Sequence, residues 1–171
     1  VALTLRRALF ILAFATAYVA IGQFVHLIRN PMVPGAIIAV NMVVVVIAGI
    51  ILGPEAGAAV GLLGTAANAF LTPAGNPFER AAIVPHMVMG AAAGIAGRRS
   101  TFSGALAIMV GHALNVAVFV ISRLLPASTM RGALFFSGLL FEIVVDVVVI
   151  LFAVPLLRSA GLPAPADPAP R

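Results

Sequence analysis

The 171-residue chain contains no cysteine, no tryptophan and no lysine, and only five acidic side chains. The missing thiol excludes disulfides, thiolate metal sites and cysteine nucleophiles. Charged residues make up 9% of the chain, against roughly 25% in a soluble domain, while 63% of residues are apolar and the mean hydropathy is +1.19. A water-soluble fold of 17.5 kDa has too much surface for its volume to hide so much apolar side chain. A soluble globular domain, a disordered chain and a nucleic-acid-binding module are all excluded. The ten basic residues are all arginine and stand at the ends of apolar runs, not in a stripe, so the net charge of +5 reads as membrane topology and not as phosphate binding.

A helix crossing the hydrocarbon core needs about 20 apolar residues. The first candidate covers 8–28, between Arg6-Arg7 and Arg29; it is too long for the core of a signal peptide and lacks a cleavage site. Residues 35–71 are almost continuously apolar, about twice the length of one span, so they must fold back. Gly53-Pro54 is the strong turn signal there, with Glu55 suited to a helix N-terminus, which gives helices at 35–53 and 55–72. Residues 72–80 have loop chemistry. Further helices are expected at 81–97, 101–125 and 132–157, the third and fourth of the six being the shortest. The sequence therefore predicts an all-α integral membrane protein, a compact bundle of six transmembrane helices over 1–158, followed by a mobile Pro/Ala-rich tail at 159–171. An even number of spans puts Arg6, Arg7, Arg98, Arg99, Arg158 and Arg171 on the side of the termini and Arg29, Arg80, Arg123 and Arg131 on the other, so both termini are expected to be cytoplasmic.

In a bilayer, small residues that admit close backbone approach hold helices together. Gly49, Gly53, Gly57 and Gly61, then Gly90 and Gly94, fall at four-residue spacing and suit internal packing. Ala13 and Ala17 repeat the spacing on the first helix and suit a subunit contact or an internal one.

Ionisable groups inside a membrane cost about 2.5–3.5 kcal/mol each on insertion scales, which makes them functional candidates. Counting rise along each helix places Gln23, His26, Asn41, Asn68 and His86 toward the outer ends, and His112 and Asn115 at mid to outer depth on one face of the fifth helix. Glu142 falls near mid-membrane, with Asp146 one turn deeper. This lopsided distribution suits a cavity opening outward, where water or ligand satisfies the groups. His26 and His86 equally suit interfacial helix ends, and Asn41 and Asn68 interhelical hydrogen bonding. Glu142 needs a partner at that depth, and His112 is expected to supply it. Asp146 is open between the site, a cytoplasmic helix end and a partner subunit. The three histidines lie on three helices in different layers, with no i, i+4 pair, so no metal site is expected, and no cofactor. Gly-Leu-Leu-Gly-Thr at 61–65 lacks a phosphate-loop lysine, and nothing resembles a hydrolase triad, so the chain is not expected to be an enzyme.

Residues 5–157 resemble the substrate-binding S components of energy-coupling factor (ECF) transporters. The similarity rests on the turn Ile51-Leu-Gly-Pro-Glu-Ala-Gly-Ala-Ala-Val-Gly-Leu-Leu-Gly64, on His86-Met-Val-Met-Gly-Ala-Ala-Ala-Gly94, and on Ala13-x-x-x-Ala17. The last is similar to the motif through which S components contact the transmembrane coupling subunit. The resemblance implies a cell-membrane subunit that captures a vitamin or micronutrient from outside, with loops 29–35, 72–80 and 126–131 completing the pocket. Glu142, His112, Asn115, His86, Asn41, Asn68, Gln23 and His26 are the expected substrate-binding residues, and Ala13 and Ala17 the partner contact. A coupling membrane subunit and two cytoplasmic ATPases would supply the energy. With no Trp and only Tyr18 among tyrosines, an aromatic cage for a flat cation is poorly supplied. Two other functions remain open on the residues: an accessory subunit of a larger membrane complex binding lipid or pigment, and a small ion-coupled carrier relaying through Glu142 and Asp146.

Overall fold

The computed structural model describes residues 4–28, 30–31, 38–71 and 76–162, and everything regular among them is helical. The helices are α1 (Leu5–Gly22), α2 (Met42–Leu52), α3 (Pro54–Leu71), α4 (Pro77–Ala96), α5 (Thr101–Ala105), α6 (Ala107–Ile121) and α7 (Ala133–Ser159). Short 3₁₀ turns occupy Val25–Leu27 and Ala127–Arg131. Three stretches are long and apolar enough to cross a membrane: Leu5–Gly22, Thr101–Ile121 (α5 and α6 together) and Ala133–Ser159.

The expected boundaries need correction at four places. α1 stops at Gly22, so Gln23 caps it and His26 lies beyond it, in the 3₁₀ turn. The shortest of the six expected helices is the second, with 11 described residues, and not the third or fourth, with 18 and 20. α4 begins at Pro77 and not at residue 81, because Asn76 is its N-cap: the side-chain Oδ1 accepts from the amides of Phe78 (3.0 Å) and Glu79 (3.3 Å). Asparagine followed by proline is a start signal as much as a loop signal, since proline at the first helical position loses no bond. The fifth helix ends at Ile121, four residues early. Parts of the expected outer loops (29, 32–35 and 72–75), the first residues of the expected second helix (35–37), the tail from 163 on and the side chain of His26 lie outside the described residues.

α2 explains its own composition. It is apolar on every side, with four consecutive valines at 43–46, and all eleven residues are buried. A helix hydrophobic all round belongs in a protein centre or in lipid; here the protein takes it, as α1, α3, α4, α5, α6 and α7 all pack on it. At about 1.5 Å per residue it is also too short to cross a core about 30 Å thick.

The turn from α2 to α3 depends on Gly53, whose φ of +92° and ψ of 171° belong to a region that only glycine enters readily. The other glycines act by their lack of bulk. A Cβ on Gly49 or Gly57 would collide with the Gly90 carbonyl, one on Gly90 with the Gly57 carbonyl, and one on Gly94 with Pro54. The four-residue glycine spacing is thus internal packing, with α2, α3 and α4 in backbone contact. Arg7 pairs with Glu55 at 3.0 Å beside that turn, and Arg158 donates to Thr101 Oγ1 at 3.3 Å, so the start of α1 and the end of α7 share one end of the bundle.

Candidate functional site

The half of the bundle away from those arginines holds most of the buried polar side chains, and they form two connected groups. The first centres on His86, one residue after Pro85, a proline that leaves one carbonyl in α4 without its usual donor. Its ring, 3% exposed, is held from three helices. Asn115 of α6 donates to Nε2 at 3.1 Å, which leaves the ring proton on Nδ1, facing the hydroxyl oxygens of Thr65 (2.8 Å) and Tyr18 (3.0 Å). Tyr18, fully buried against Gly64, donates onward to Glu79 Oε2 at 3.1 Å. A continuous polar chain thus runs from the first turn of α4 through α1 and back to α6.

Around Glu79 stand Asn68 and Asn41. Gln23 donates to Asn68 Oδ1 at 2.7 Å. Asn41 occupies the N-cap of α2, yet its side chain caps nothing: both amide atoms are buried without a partner at hydrogen-bond distance, and the carboxylate the amide interacts with, from further off, is Glu79. The Asn115 carbonyl oxygen is likewise buried and unpaired, while its amide nitrogen also approaches Met42 Sδ at 3.7 Å. Buried polar atoms are paired in the great majority of cases, so these exceptions cluster with meaning.

The second group corrects an expected pairing. His112 Nε2 meets Asp146 Oδ2 at 3.1 Å, not Glu142. Glu142 Oε1 instead accepts from the Ala39 amide at 2.6 Å, which ties α7 to the segment entering α2. The Asn30 amide joins the same seam, donating to the Gly138 carbonyl at 3.0 Å. Donor atoms of His112, Glu142 and Asp146 nevertheless all lie within 4.8 Å of one another. The expectation of scattered, unrelated histidines holds only in part, since Asn115 and His112, one helical turn apart, join the two groups.

Of the expected binding residues, Gln23, Asn41, Asn68, His86 and Asn115 lie in or beside the first group, and His112 and Glu142 in the second; the His26 side chain falls outside the described residues. Ala13 is exposed on α1, and Ala17, one turn further along the same helix face, is half-buried against the core. Sequence reasoning missed Tyr18, Thr65 and Glu79. Phe78 and Phe119 meet edge to face with centroids 5.1 Å apart. Phe78 adjoins Glu79, and Phe119 stands one turn beyond Asn115. The arrangement can present unsatisfied amide donors and acceptors to a ligand.

A family model described as ECF-type riboflavin transporter, S component, matches residues 5–161. No match is found among curated proteins or among solved structures.

Proposed function

The chain belongs to the S components of ECF-type transporters, the substrate-binding membrane subunits of these systems, and we propose that it captures a flat, vitamin-like heterocycle of the flavin class. The observation that carries this is Asn41: a buried side chain with a donor and an acceptor, both unpaired, at the mouth of the short central helix. Leaving such atoms unpaired costs about 1–3 kcal/mol, a cost a ligand can remove by pairing with them. A ring edge that alternates carbonyl and N–H groups complements an amide in this way, and Asn115 Oδ1 offers a second acceptor nearby. The Phe78–Phe119 edge offers the apolar contact that a flat ring needs. Gln23, Asn68 and His86, with His26, His112 and Glu142, complete the proposed wall.

In this reading the chain crosses the membrane six times, with α5 and α6 acting as one span and α2 shielded from lipid by its neighbours. The end carrying Arg6, Arg7, Arg98, Arg99 and Arg158 faces the cytoplasm, which leaves the polar half open to the outside. S components are not an enzyme class, and energy would come from a coupling membrane subunit and two ATPases. Ala13 and Ala17, one turn apart on the same face of α1, are the proposed contact for the coupling subunit.

The test is equilibrium binding of riboflavin to the purified chain alone, read by quenching of flavin fluorescence, with Asn41→Leu alongside. Leucine has nearly the shape of asparagine without its amide, so the variant is expected to fold at least as stably as the parent and to lose about tenfold or more in affinity, the equivalent of 1.4 kcal/mol. Riboflavin binding of equal strength in both would remove Asn41 from the site, and absence of binding to the parent would reject the flavin class.

A further inference from the structure

We propose that His112, Glu142 and Asp146 form a binding site for one divalent first-row transition-metal ion. The claim does not depend on the identity of the organic substrate. Three observations meet here. The donor atoms of the three side chains lie within 4.8 Å of one another. Between His112 Nε2 and Asp146 Oδ2 the distance is 3.1 Å, within the span of about 2.9–3.4 Å that separates neighbouring ligands on an ion bound at about 2.0–2.1 Å. Asp146 is completely buried, and its second oxygen, Oδ1, has no partner.

Charge argues the same way. Two carboxylates and one imidazole sit together, while the arginines among the described residues stand at or just beyond helix ends, and among those residues the ion pairs are Arg7–Glu55 and His112–Asp146 alone. Two carboxylates that are both ionised in a buried cluster need cationic partners or a metal ion, and a single imidazole balances only one of them. The scaffold suits coordination. Glu142 and Asp146 are one turn apart on α7, and His112 comes from the packed face of α6, so the ligands ride on rigid helices as in metal sites built inside helical bundles. The Ala39 amide holds one oxygen of Glu142, fixing the carboxylate as the outer hydrogen bonds of metal ligands do. One nitrogen and two carboxylates, with no sulfur in the cluster, favour Zn²⁺, Ni²⁺, Co²⁺ or Mn²⁺ over soft Cu(I).

The probe is Zn²⁺ alone, presented to the tag-free full chain in detergent after stripping with EDTA. Bound zinc is counted by mass spectrometry after desalting, and affinity is taken from calorimetric titration. The parent is expected to retain one zinc per chain. Glu142→Gln and Asp146→Asn, each checked for helicity and monodisperse elution, are expected to bind about tenfold or more weakly, while Glu55→Gln, at the far end of the bundle, binds as the parent does. A parent that retains no zinc, or carboxylate variants that retain it equally, would overturn the site and leave His112–Asp146 as a plain hydrogen bond. Should both carboxylate variants fail to fold, X-ray absorption of the zinc-loaded parent decides: one imidazole with oxygen neighbours supports the site, and two or more imidazoles contradict it.

Discussion

His86 Nδ1 has two hydroxyl acceptors where it needs one, and this redundancy has a measurable consequence. With Thr65→Val, Tyr18 still accepts from the ring at 3.0 Å; with Tyr18→Phe, Thr65 still accepts at 2.8 Å. Each single change therefore leaves the ring satisfied. Thr65→Val is expected to cost about 0.5–1 kcal/mol, the net worth of one hydrogen bond. Tyr18→Phe also removes the hydrogen bond to Glu79, an interaction with a carboxylate, and is expected to cost about 1–2 kcal/mol. Together the two changes remove both hydroxyls that face the buried Nδ1–H. The double variant is expected to cost about 1–2 kcal/mol more than the sum of the singles, from the desolvation penalty of an unsatisfied group. That coupling would stand above the ~0.6 kcal/mol average of interhelical hydrogen bonds in membranes. The assay is unfolding of the purified chain by SDS in mixed micelles, followed by far-ultraviolet circular dichroism because the chain has no tryptophan and Tyr18 is its one tyrosine. Singles that add within about 0.3–0.5 kcal/mol would refute the shared-acceptor geometry.

Three further outcomes probe packing and assembly. Gly90→Val places a side chain on the Gly57 backbone, which cannot step aside as a side chain could, so the α3–α4 contact should open at a cost of about 3 kcal/mol or more and the protein should elute as aggregate. Gly53→Ala meets nothing within 4 Å and bears only the backbone strain, about 1–3 kcal/mol, so it should remain folded with a lowered unfolding midpoint. Ala13→Leu adds bulk to an exposed position and should leave helicity and riboflavin affinity unchanged while reducing co-purification with a coupling subunit; unchanged co-purification would move that contact elsewhere.

Helix content and glycine packing were legible from the sequence because each rests on local pattern. The four-residue glycine spacing reported a real backbone contact, and Gly53-Pro54 reported a real turn. α2 was less legible: a fully apolar run looks the same whether lipid or protein surrounds it, and only the neighbours reveal which. Glu79 was hidden by the residues before it, since Asn76-Pro77 was read as a loop when it opens a helix. Tyr18 and Thr65 carry little hydropathy signal among alanines and glycines, and nothing in a linear pattern shows that both point at one ring. The His112 partner was assigned by depth alone. Depth cannot distinguish Glu142 from Asp146, which are one turn apart; the heights of α6 and α7 relative to each other decide it, and these are set by packing.

The most direct measurement is native mass spectrometry of the chain gently solubilised from its own host membrane. The expected spectrum shows this subunit joined to one membrane partner and two ATPase chains, with a small organic molecule of vitamin size released on activation. A spectrum in which the chain travels with an unrelated assembly, carrying only lipid or pigment, would contradict substrate capture and reduce the polar chain through Tyr18, His86 and Asn115 to internal structure.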